Sequence, residues 1–230
     1  GFPETSPALA DLDLDGDLEI AVTTSDGYVY VLESDGTDFP GWPWHHPDGL
    51  SLTGPVMAEV YGGMEPEVVI GVLGSAGPEV HVFHYFGIEV AGYPQSQTSG
   101  SAEIATPIVD VLGFEGSPDV CRGAHNGTAY AWNYQGDDLP GWPMELLSTY
   151  GTPAACLVSA ASGDVDGDAL VEVVFVTSYP TQLLIFDMGR AVNRNPLNPR
   201  KWWPMFGYNP LRQSCLNCGT DAVTEVAEHT

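Results

Sequence analysis

The chain has 230 residues, of which 43% are hydrophobic and 10% aromatic, with 27 Gly and 19 Pro. That is too apolar for a disordered chain and too rich in turn formers for a helical bundle. The formal net charge is −25, from 31 acidic residues against 6 Lys and Arg, which argues against nucleic acid or an anionic membrane as partner and in favour of divalent cations. No stretch reaches the ~20 apolar residues of a spanning helix, so membrane insertion is not expected.

The expected elements recur along the chain. A Gly-aromatic-Pro mark stands at Gly41-Trp42-Pro43, Gly92-Tyr93-Pro94 and Gly141-Trp142-Pro143, weakened at Trp202-Trp203-Pro204, and at the start as Gly1-Phe2-Pro3. The prolines of these marks lie 40, 51, 49 and 61 residues apart. They divide residues 1–214 into repeats of about 1–43, 44–94, 95–143 and 144–214, followed by a tail or linker over 215–230.

Within the first repeat, Pro7-Ala8-Leu9-Ala10 is followed by an acidic loop, then Glu19-Ile20-Ala21-Val22, then the alternating Tyr28-Val29-Tyr30-Val31-Leu32. The second repeat runs Pro55-Val56-Met57-Ala58, Glu67-Val68-Val69-Ile70 and Val80-His81-Val82-Phe83. The third runs Pro107-Ile108-Val109, Asp119-Val120-Cys121 and Thr128-Ala129-Tyr130-Ala131-Trp132. The fourth runs Ala160-Ala161-Ser162-Gly163, Glu172-Val173-Val174-Phe175 and Leu183-Leu184-Ile185-Phe186. Such β-branched and aromatic runs, bounded by Gly, Pro and Asp, read as strands. Three or four strands per ~50 residues make one antiparallel sheet that must stack on its neighbours. The expected fold is therefore all-β: a β-propeller of four-stranded antiparallel blades, with four blades in this chain.

The aromatic of each mark is expected to pack between blades. Gly1-Phe2-Pro3 reads as the closing mark of a preceding blade, and the missing initiator Met reads as a piece of a longer precursor.

The first repeat contains Asp11-Leu12-Asp13-Leu14-Asp15-Gly16-Asp17-Leu18-Glu19, with carboxylates at loop positions 1, 3, 5 and 9. Calcium takes about six to eight oxygen ligands, and alternate side chains of a curled loop can aim at one point. Asp17, at position 7, is expected to add its carbonyl. An EF-hand would place its last acid at position 12 between helices; here it falls at 9 between strands. The fourth repeat repeats the pattern as Asp164, Asp166, Asp168 and Glu172, with Leu170 offering its carbonyl. Ala169 stands where the first loop has Gly16, and a left-handed backbone there would make the second site the weaker. Glu59 to Glu67 keeps only the end acids, and the third loop, read from Asp110 to Asp119, is one residue longer. Two calcium sites are thus expected, in repeats one and four.

At these residues the chain resembles the integrin-α-like FG-GAP and VCBS repeat proteins of the bacterial secreted type. The matching pattern is apolar-x-Asp-x-Asp-x-Asp-Gly-x-x-Glu before an apolar strand, strict in repeats one and four. The resemblance implies a propeller with calcium between the first two strands of a blade. It also implies that the segment 203–210 closes such a propeller.

Four cysteines, Cys121, Cys156, Cys215 and Cys218, allow three full pairings that remain open. His45 and His46 follow Trp44 without nearby acids, and His81 and His84 point to opposite strand faces. No nucleophile motif or phosphate loop is present. The expectation is a non-catalytic extracellular or cell-surface module that binds protein or glycan. A fragment of a calcium-dependent polysaccharide lyase is an alternative, with Arg122 as nearly its only basic candidate. A self-assembling subunit of a surface layer or filament is another.

Overall fold

The computed structural model describes residues 1–191, apart from 4, 49–50, 98–104, 114–115, 149 and 179–180. The described residues form strands without a helix. Blade I holds β1 (Ala8–Ala10), β2 (Glu19–Thr23), β3 (Tyr28–Leu32) and β4 (Trp44–His45), hydrogen-bonded in that order. Blade II holds β5 (Ser51–Leu52), β6 (Val56–Ala58), β7 (Glu67–Gly74), β8 (Gly77–Phe83) and β9 (Gln95–Ser96), with β5 and β6 both on β7. Blade III holds β10 (Ile108–Asp110), β11 (Asp119–Gly123), β12 (Thr128–Trp132) and β13 (Met144–Glu145). Blade IV holds β14 (Ala161–Gly163), β15 (Leu170–Ser178) and β16 (Thr181–Ala191). All pairings are antiparallel. Two sheets have the expected four strands, the second has a short fifth, and the fourth shows three among the described residues.

Burial follows from stacking. β2 and β3 alternate buried and half-buried residues, whereas β11 is buried throughout, because blade III has a neighbour on each face. One apolar cluster joins blades I, II and III through Val29, Val31, Phe83 and Trp132. A second joins blades III and IV through Cys121, Leu146, Cys156 and Phe175. Cys121 and Cys156 are buried free thiols, while Cys215, Cys218 and the segment 203–210 lie outside the described residues. On β16, Leu184 and Phe186 pack inward while Leu183 and Ile185 remain exposed.

The Gly-aromatic-Pro mark clasps one blade to the next. Trp42 and Tyr93 are buried; the Trp42 indole N–H donates to the Tyr85 carbonyl at 2.7 Å, and the Tyr93 hydroxyl to the Asn133 carbonyl at 2.9 Å. The glycines of two marks, Gly41 and Gly92, meet turn glycines of the following blade. A Cβ on Gly41 would overlap Phe86 O and one on Gly87 would overlap Gly41 O; Gly92 and Gly136 repeat this reciprocal contact. All four have positive φ. Trp142 is only half-buried and borders a cleft with Leu112, Leu139 and Met188.

The start of the chain departs from expectation. Pro3 bridges Thr24, and Ser25 N–H donates to Phe2 O, so these residues lie along blade I as β5 lies along blade II. They are an element of the first blade, not the closing mark of an earlier one.

Gly92 and Gly141 separate conformation from contact. Both have positive φ, 100° and 88°, but nothing lies within 4 Å of a Cβ built on Gly141. Gly92→Ala is expected to cost roughly 2–4 kcal/mol, from left-handed strain plus overpacking, and Gly141→Ala about 1 kcal/mol. Urea midpoints of the two variants check this.

Candidate metal centres in the blade loops

Each blade passes from its first to its second strand through an equivalent loop. The pairings Ala10↔Glu19, Ala58↔Glu67, Asp110↔Asp119 and Gly163↔Glu172 set these loops in one register. The third loop therefore starts at Val111 and equals the others in length, rather than being one residue longer. Asp110 belongs to β10, where its carboxylate accepts the Ser162 hydroxyl at 2.6 Å and Val111 N–H at 2.9 Å. Position 1 of that loop has no acid.

The position-9 acid has the same task in every blade. Glu19 accepts Leu12 N–H at 2.6 Å, Glu67 accepts Val60 N–H at 2.7 Å, Asp119 accepts Leu112 N–H at 2.8 Å, and Glu172 accepts Val165 N–H at 2.6 Å. Each carboxylate braces the start of its own loop, whether or not other acids are present.

Acids converge in the two loops expected to hold metal. Ligand atoms of Asp11, Asp13 and Asp15 lie within 4.8 Å of one another, as do those of Asp164, Asp166 and Glu172. Glu19, Asp17 and Asp168 stand outside these trios. Asp17 N–H donates to Asp15 Oδ1 at 2.9 Å, Asp168 N–H to Asp166 Oδ1 at 3.2 Å, and Leu170 N–H to Asp168 Oδ1 at 2.8 Å. These contacts curl each loop around its carboxylates. Such oxygen-only sets suit a hard cation.

The backbones match as closely as the ligands. Positions 4 and 6 are left-handed in both loops: Leu14 and Gly16 in the first, with φ 65° and 103°, and Gly167 and Ala169 in the second, with φ 85° and 69°. Ala169 is thus left-handed as expected, yet Leu14 carries the same penalty in the first loop. Strain alone does not rank the two sites.

Burial and crowding act on the braces. Desolvation pushes Glu19 up to about 7; Leu12 N–H opposes this, and Asp13, Glu33 and Asp15 raise it further. Glu33, on the neighbouring turn, is raised mainly by desolvation and then by Asp13, Asp15, Asp35 and Asp17. Its part in this field is invisible in the loop motif. A bound cation would reverse both effects, because it favours the ionised form.

Sequence reasoning did not bring His46 and His81 together. The structure places them with Glu79 at the seam of blades I and II, ligand atoms within 4.8 Å. Arg122, the basic residue on which a lyase would depend, is 1% exposed; burial lowers it to about 10.

No protein-family profile and no curated protein matches the chain. Solved structures do. The chain is similar to the C-terminal domain of PilY1 from Pseudomonas aeruginosa, at 14% identity and a TM-score of 0.56, covering 80% of this chain and 48% of that one. It is also similar to the N-terminal domain of BBS1, crystallised with ARL6, at 11% identity and a TM-score of 0.50, covering 84% of this chain and 56% of that one. The fold is a β-propeller. The chain spans about half the length of both structures.

Two expectations follow. Ala169→Gly relieves a left-handed alanine and is expected to stabilise the protein by about 1 kcal/mol, read as a raised urea midpoint. Glu67, in a loop without a metal trio, is raised to about 7 by desolvation, opposed by Val60 and Tyr61 N–H and reinforced by Glu59 and Glu65. The fold holds this proton up to about pH 7, while the unfolded chain releases it near 4.5, so stability falls as pH rises through that window. Glu67→Gln is expected to gain on the order of 3 kcal/mol relative to the wild type between pH 5 and pH 8. Denaturation at both pH values reads the difference.

Proposed function

We propose that this chain is a calcium-stabilised propeller module that presents its loops to a protein or glycan at the cell surface or outside the cell. The observation that carries this reading is the pair of aspartate-rich trios at equivalent positions of blades I and IV, on backbones with the same left-handed pattern. Asp11, Asp13, Asp15 and Glu19 would hold one ion with the Asp17 carbonyl, and Asp164, Asp166, Asp168 and Glu172 the other with that of Leu170. Calcium supplies two positive charges to loops whose carboxylates otherwise repel one another. Kinship with FG-GAP and VCBS repeats belongs to the same proposal and rests on the spacing of these acids.

The exposed Leu183 and Ile185 of blade IV offer a face on which a further blade can stack. Net charge of −25 supports a module whose partner contacts are themselves bridged by cations or uncharged.

Removal of calcium tests the reading. At free calcium of about 100 times Kd, each site adds ~2.7 kcal/mol, so EDTA should lower Tm by roughly 5–10 °C per site and calcium should restore it. Asp13→Asn and Asp166→Asn should each abolish part of that response. A melt indifferent to EDTA and calcium would sink the proposal.

A further inference from the structure

The histidines at the seam of blades I and II form a constellation distinct from the acidic loops. His46 follows β4 on blade I, and its N–H donates to Gly27 O in the turn between β2 and β3. Glu79 and His81 lie on β8 of blade II. The acidic loops join first to second strands, whereas this cluster lies beside second-to-third turns, at the other end of the blades.

Three features define its chemistry. First, His46 Nε2 and His81 Nε2 both approach one oxygen, Glu79 Oε2, at 3.3 Å. A charge-assisted hydrogen bond to a carboxylate closes to about 2.7–2.9 Å. Ligands of a tetrahedral zinc ion, about 2.0–2.1 Å from the metal, stand about 3.3–3.4 Å apart. Second, the far nitrogens face other carboxylates: His81 Nδ1 meets Glu89 Oε1 at 2.6 Å, and His46 Nδ1 meets Asp48 Oδ1 at 3.1 Å, with Asp48 N–H at 3.3 Å. Ser75 Oγ donates to the second Asp48 oxygen. The His81 imidazole is held as metal-bound imidazoles are, with Nδ1–H given to a carboxylate and the Nε2 lone pair free for the ion, whereas His46 Nδ1 accepts the Asp48 N–H. Third, water is largely excluded, since the side chains of His46, Glu79 and His81 are 10%, 17% and 5% exposed. Trp44 packs against both rings.

Proton accounting favours a cation. An imidazole between two carboxylates, as His81 is between Glu79 and Glu89, must either carry a proton on each nitrogen or turn one lone pair towards an anion. A divalent ion on the Nε2 side would take that lone pair together with one from His46 and neutralise Glu79. Imidazole nitrogens select zinc-class ions over calcium.

We propose that His46, His81 and Glu79 bind one zinc-class divalent cation that ties blade I to blade II, with Glu89 orienting the His81 imidazole. Three protein ligands leave a fourth position for water or a small anion.

The test uses the purified chain with calcium in millimolar excess, so that the acidic loops are occupied, titrated with Zn²⁺ by calorimetry and with Co²⁺ by visible absorption. The expected result is one equivalent of Zn²⁺ bound, the intense absorption of tetrahedral cobalt, and a higher Tm with zinc. His81→Gln and His46→Gln should remove the equivalent, and Glu89→Gln should weaken it by about 10–100-fold. His45→Gln and Asp13→Asn should leave it unchanged. A wild-type protein that shows only octahedral cobalt, or whose zinc uptake survives His81→Gln, would overturn the proposal. The wild-type cobalt spectrum decides even if a variant fails to fold, because nitrogen and oxygen ligands give no near-ultraviolet thiolate band, and a tetrahedral spectrum carrying that band, from Cys215 and Cys218, would overturn the proposal. Loss of calcium binding alone would bear on the loop reading and leave this one standing.

Discussion

Close backbone approach between neighbouring blades is the constraint on which the molecule depends. Gly41 faces Gly87 across the first seam and Gly92 faces Gly136 across the second, each where a side chain would collide with a carbonyl. Beside each pair, an aromatic side chain crosses the seam and donates to a part-buried carbonyl of the next blade. An indole N–H and a phenol hydroxyl serve equally here, because both place a donor at the far end of a flat apolar body. The clasp fixes the pitch between sheets. Every contact across a seam, from the shared apolar clusters to the histidine cluster, takes its geometry from that pitch.

Within a blade, the brace at loop position 9 works independently of metal. Four blades keep the bond from this acid to the N–H seven residues before it, although only two carry converging aspartates. The loop is shaped first by a carboxylate accepting backbone N–H groups and only then equipped for an ion. This has an electrostatic cost, since burying Glu19 and Glu67 pushes both up to about 7. In the first loop a cation can offset that cost. In the second loop no acidic trio gathers among the described residues, and Glu67 is instead met by two N–H groups, those of Val60 and Tyr61, and by His84 Nδ1 at 3.5 Å.

The strand order of each blade was legible in the sequence because alternation and turn residues are local signals, and the marks repeat them at regular spacing. The convergence of Asp11, Asp13 and Asp15 was legible for the same reason. Errors arose where identity and register part company. Asp110 looks like the first acid of a loop, but its pairing with Asp119 makes it the last residue of a strand. Gly1-Phe2-Pro3 copies the letters of the mark while pairing like β5. His46 has a local acid in Asp48, two residues on, but the partner that joins it to His81, Glu79, comes from the next blade. No local pattern encodes a contact between one blade's last strand and the third strand of its neighbour.

That contact matters because the two kinds of site differ in what they connect. The aspartate trios draw their ligands from one loop, so an ion there stiffens a connection that the blade already makes. The His46–Glu79–His81 cluster draws from two blades, so an ion there adds a link to a seam held by the clasp, apolar packing and the Thr23 hydroxyl bond to Thr53 O. Its ligand atoms also depend on inter-blade register in a way the loops do not. A shift of an ångström between blades I and II would separate His46 from Glu79 while leaving Asp11, Asp13 and Asp15 together. Occupancy of the seam site is therefore coupled to how firmly Gly41 and Gly87 seat, and a cation there would resist the same sliding that the glycine contact and the Trp42 clasp oppose.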